Sequence, residues 1–143
     1  MATLDRTPAP RPTGRTLLLT YSGLTVVIAL GVLLQALLAG QGLFNSMPGL
    51  IDMHGTLGSL LTLVTLIAAG VAVAARNQGL LTNGAVLRSI AVVVLTIVQL
   101  VIGWATKDDA SAIAWHIPNG VLLMGLTTAN MVLALFAPRP AER

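Results

Sequence analysis

The chain has 143 residues, 55% of them hydrophobic and only 9% charged, with a net charge of +3 and no cysteine. Soluble domains carry about a quarter charged residues, so this balance, with a mean hydropathy of +0.87, excludes an ordinary soluble domain and points to a membrane protein. The missing cysteines exclude disulfides, iron–sulfur clusters and covalently attached c-type haem.

Residues 1–16, with Pro8, Pro10, Pro12 and the arginines 6, 11 and 15, read as a short basic arm. Apolar spans are expected over 17–39, 52–75, 87–106 and 113–137. Each has about 20 residues or slightly more, which crosses a hydrocarbon core of about 30 Å at about 1.5 Å per residue. The first apolar run is too long for a signal peptide, and Ala39, Gly40 and Gln41 make a weak cleavage site. The expected fold is all-α: a four-transmembrane-helix bundle over 17–137, followed by a short tail at 138–143.

Charge sets the expected orientation. Arg6, Arg11, Arg15, Arg76, Arg88, Arg139 and Arg143 fall on one side of the spans, and Lys107 alone falls on the other, beside Asp108 and Asp109. By the positive-inside rule both termini are expected in the cytoplasm of a bacterial-type plasma membrane, with 40–51 and 107–112 outside. The basic excess is a topology signal and gives no reason to expect nucleic acid. Trp104 and Trp115 are expected in the outer aromatic belt and Tyr21 in the inner one.

The only two histidines, His54 and His116, lie 62 residues apart at the outer ends of the second and fourth spans. Each is followed by a glycine four residues on, Gly58 and Gly120, and by a threonine eleven residues on, Thr65 and Thr127. Those offsets fall on one helical face. Two helices thus each present an imidazole, a gap and a hydroxyl. That pattern suits a flat cofactor between two axial histidines, with b-type haem the leading candidate. Gly58 and Gly120 would admit the porphyrin plane, or else serve close helix packing.

A second motif repeats at nearly the same offset. Gln35 is followed by Ala39, and Gln99 by Gly103. The reading is one helical hairpin used twice, over 17–75 and 87–137, about an axis along the membrane normal. Such a pseudo-twofold puts His54 and His116 at one depth. Gln35 and Gln99 would bond a haem propionate, a quinone carbonyl or a histidine nitrogen, or simply join helices. Thr65 and Thr127 are expected to bond their own helix. Asp52 is expected to cap the second span behind a turn at Ser46 and Pro48, and Pro118 to help aim His116.

With its paired histidines, their spacing and the Gln35 and Gln99 motifs, the region 17–137 resembles one four-helix half of the haem A synthase family. It is also similar to small four-helix membrane proteins of actinobacteria. The first resemblance implies haem ligation by His54 and His116 on the extracytoplasmic side. It does not carry over the family's oxidation of a haem methyl. Ile51 and Asp52 stand where that family has a carboxylate, Gly55 follows the histidine in place of an arginine, and the loop cysteines and second half are absent.

Three functions follow as expectations. The first is a small membrane cytochrome, for electron transfer or haem handling, with respiratory-complex subunits or quinone as partners and a homo-oligomer as one assembly. The second is an accessory or scaffold subunit without a cofactor. The third is an enzyme modifying haem or quinone, for which Asp52 is the only acidic residue near the site.

Overall fold

The computed structural model describes residues 12–136, with side chains from residue 14 onward. Arg6 and Arg11 of the expected arm, and the expected tail at 138–143, lie outside the described residues. Four helices follow one another: α1 (Pro12–Phe44), α2 (Pro48–Asn77), α3 (Asn83–Ala105) and α4 (Ile113–Phe136), with a short 3-10 turn at Ala110–Ala112 before the last. All four are long and apolar enough to cross a membrane. Helix α1 begins inside the segment expected as an arm, so Pro12 and Arg15 belong to its first turns.

The connections are short because each has its own stop and start chemistry. Between α1 and α2, Ser46 takes a positive φ of 54° and the Met47 amide bonds back to the Gly42 carbonyl at 2.9 Å. Pro48 then opens α2, where its fixed φ suits a helix and its missing N–H costs nothing. This overturns the capping role expected of Asp52. The helix starts earlier, Met47 makes no side-chain cap bond, and Asp52 is an exposed second-turn residue whose backbone carbonyl accepts from Thr56 Oγ1.

Helix α2 ends in a Schellman motif. Gly79, at φ +73°, donates to the Arg76 carbonyl, and Leu80 donates to that of Ala75. Thr82 caps α3 by accepting from the Ala85 amide. Asp109 receives both the hydroxyl and the amide of Ser111. The hydroxyl bond first, then the amide bond, hold its carboxyl below the usual range.

The inward residues recur in alternating steps of four and three on every helix. Helix α1 contributes Tyr21, Thr25, Ile28, Val32 and Gln35; α2 contributes His54, Gly58, Leu61, Thr65 and Ala68. On α3 the series is Ala85, Ser89, Val92, Thr96 and Gln99, and on α4 it is His116, Gly120, Leu123, Thr127 and Asn130. A period of 3.5 winds helices into a left-handed bundle with crossings of about 20°. Helix α1 packs on α2 and α4, as α3 does, so α2 and α4 are diagonal partners. The outward faces carry exposed Leu30, Leu63, Leu87 and Val121, which suits lipid rather than water.

Along its axis the bundle has a polar end at the α1–α2 and α3–α4 connections, an apolar middle and a polar end at the α2–α3 connection. Ile28, Val32, Leu61, Ala68, Val92 and Leu123 form the middle. At the end with the α2–α3 connection the Tyr21 hydroxyl lies 3.0 Å from Ser89 Oγ and donates to Asn130 Oδ1 at 3.1 Å. Arg88 Nε donates to that same Asn130 oxygen. Tyr21 is therefore a core residue, 1% exposed, and not the belt residue expected. It sits on the inward 4–3 series, so its ring replaces core volume while its hydroxyl ties three helices together. Trp104 and Trp115, at the other end, are 55% and 73% exposed.

Candidate functional site

The end of the bundle at the α1–α2 and α3–α4 connections gathers every residue that the sequence singles out as a cofactor contact. His54 stands in the second turn of α2 and His116 in the first turn of α4. Their rings meet across the bundle diagonal, with centroids 6.0 Å apart and planes at 67°. Gln35 and Gln99, from the other two helices, flank them.

In the first hairpin the contact is reciprocal. His54 Nδ1 lies 3.0 Å from the Gln35 backbone carbonyl, and Gln35 Nε2 donates to the His54 carbonyl at 2.9 Å. A carbonyl can only accept, so Nδ1 carries the ring proton and Nε2 keeps its lone pair. Tethering the far ring nitrogen to a backbone carbonyl is how metal-binding imidazoles are oriented and made more basic. Gln35 Oε1 is buried and has no partner.

The second hairpin bonds differently. Asn119 Nδ2 donates to the Leu95 carbonyl at 3.1 Å and to Gln99 Oε1 at 2.6 Å. Gln99 Nε2 in turn lies 3.1 Å from His116 Nε2. Since the chain starts at a backbone carbonyl, its polarity is fixed: each amide donates onward, and His116 Nε2 accepts. The proton of the neutral ring then sits on Nδ1, which is buried without a partner.

The glycines make room for these contacts. A Cβ on Gly58 would lie 3.1 Å from Gln35 Nε2, and one on Gly120 would lie 3.1 Å from Gln99 Nε2. The clearance expected for a porphyrin face is taken up here by the glutamine amides. On Gly103, a Cβ would come within 3.0 Å of His116 Cε1. Thr65 and Thr127 stand deeper in the bundle, buried, each bonded to the carbonyl three residues back in its own helix.

Among the described residues no group of three histidines, cysteines or carboxylates converges anywhere. Two imidazoles leave a bare zinc ion short of its tetrahedral set. An iron porphyrin brings its own equatorial nitrogens and asks the protein only for the axial pair. The two-imidazole donor set therefore fits haem better than a free ion. Asn119 is the site residue that the sequence reading missed. The available signal was an amide three residues after His116, a spacing that returns it to the histidine's side of the helix. No protein-family model, no curated protein and no solved structure matches this chain.

Proposed function

We propose that this chain is a small membrane cytochrome that holds one b-type haem between His54 and His116, for electron transfer or haem handling. One observation carries the reading: the only two histidines, distant in sequence, meet ring to ring across the diagonal of the bundle at 6.0 Å. The bound haem would supply one-electron chemistry. His54 presents Nε2 to it, Gln35 holds the ring, and the apolar middle of the bundle closes the site from below. Natural partners for such a site are subunits of a respiratory assembly or a quinone.

The test is the absorbance spectrum of the protein made with ample haem and purified in detergent. A Soret band at one haem per chain is the expected result. A colourless protein sinks the reading.

The filled glycine gaps favour a second reading, an accessory subunit whose amides and imidazoles only fix helix packing. It predicts that same colourless protein.

In the proposed orientation the histidine end faces the outside of a bacterial plasma membrane. Arg15, Arg76 and Arg88 stand toward one end of the bundle and Lys107 at the other, which supports it. A cysteine at Ser46 should react with an impermeant thiol reagent in intact cells, while one at Asn77 should stay unlabelled. The reverse pattern would turn the site inward.

A further inference from the structure

The two hairpins bond their histidines differently, and one pair of residues beside the histidines accounts for it. Three residues after His54 stands Leu57, and three after His116 stands Asn119. Leucine offers Gln35 nothing to bond. Its amide therefore turns to the His54 backbone carbonyl, and His54 Nε2 is left free. Asn119 instead captures Gln99 Oε1 and turns the Gln99 amino group onto His116 Nε2. The polarity cannot reverse, because Asn119 is itself anchored on the acceptor-only Leu95 carbonyl.

Resting on the haem reading above, we infer that Asn119 is a positioning residue that makes His54 the resident ligand and His116 the exchangeable one. His54 binds iron without breaking any bond it holds. His116 must first displace Gln99 from the nitrogen it would use. A membrane hydrogen bond of this kind favours the detached state about fivefold, the equivalent of about 1 kcal/mol at about 1.4 kcal/mol per tenfold. The site therefore holds about five times as much haem with the coordination position on the His116 side open as it would without that bond. That position admits a small neutral ligand such as carbon monoxide, or lets haem pass to another acceptor.

Full-length protein loaded with haem b, reduced, and mixed with carbon monoxide tests this directly. Asn119→Leu, which gives the second hairpin the residue of the first, should raise the six-coordinate low-spin share and slow carbon monoxide binding about fivefold. Gln99→Met, which keeps the bulk and removes the donor, should do the same. The pair together should do no more than Gln99→Met alone, because both act through one bond. His116→Ala should keep haem in a five-coordinate state, whereas His54→Ala should lose most of it. Unchanged spin state and carbon monoxide rate in both amide variants would overturn the inference while leaving the haem reading intact. So would equal haem loss from the two histidine variants. A wild-type chain that takes up no haem at all would overturn the proposed function and this inference with it.

Discussion

Replacing His54 and His116 together with alanine is expected to abolish haem binding while leaving a folded bundle. The expectation has two parts that can be measured on one sample. The rings supply the only imidazoles in the chain, and no cluster of other donors stands ready among the described residues, so haem content read from the Soret band should fall to background. Stability should fall by no more than about 2 kcal/mol. Both rings are half-buried at helix ends, and the bonds they make to Gln35 and Gln99 are worth about 1 kcal/mol each in a membrane. The bundle is held chiefly by the packed middle around Leu61, Val92 and Leu123, which the substitutions do not touch. Haem retained at wild-type occupancy in the double variant would place the cofactor elsewhere. Wild-type protein that is colourless with ample haem would leave only the scaffold reading.

The all-α, four-span architecture was legible in the sequence because bilayer thickness dictates span length and leaves charge nowhere to go but the loops. The meeting of the two histidines had a visible cause as well. His54, Gly58 and Thr65 share offsets with His116, Gly120 and Thr127, and all six belong to the 4–3 inward series of diagonal helices. What stayed hidden depends on side-chain choices that several neighbours make at once. Tyr21 near a span end has the chemistry of a belt residue, and only its register with Thr25 and Ile28 tells that it points inward. Asn130 and Arg88 are distant in sequence, so their shared bond could not be read from local spacing. Asp52 failed as a cap because Pro48 starts the helix a turn earlier by a backbone effect that needs no capping side chain. The unequal bonding of Gln35 and Gln99 was invisible for a related reason. The two glutamines sit in matching motifs, and the residue that separates their behaviour, Asn119, lies on another helix.

Gly58→Leu is expected to lower stability by about 2 kcal/mol, as overpacking of a close helix contact does, and to reduce haem content with both histidines intact. The cause is specific. A Cβ at this position would already lie 3.1 Å from Gln35 Nε2, and a leucine extends further into the same space. Gln35 must then leave the His54 carbonyl, and α1 must part from α2 at the level where His54 Nδ1 reaches the Gln35 carbonyl. The ring loses the tether that directs its free nitrogen, so ligation weakens along with packing. Gly55→Leu is the control on the same helix, since nothing lies within 4 Å of a Cβ there and the residue is exposed. It should leave haem content near that of wild type and cost at most the small change expected of a lipid-facing residue. Adding Gln35→Ala to Gly58→Leu separates the two effects. Removing the glutamine side chain makes room for the leucine, so stability should recover in part. The backbone carbonyl that holds His54 remains, but the bond from Gln35 Nε2 is gone, so haem should return less fully than stability. Equal stability losses from Gly58→Leu with and without Gln35 would mean that the clash with this side chain is not the cause, and that Gly58 is kept small for the approach of the helix backbones alone.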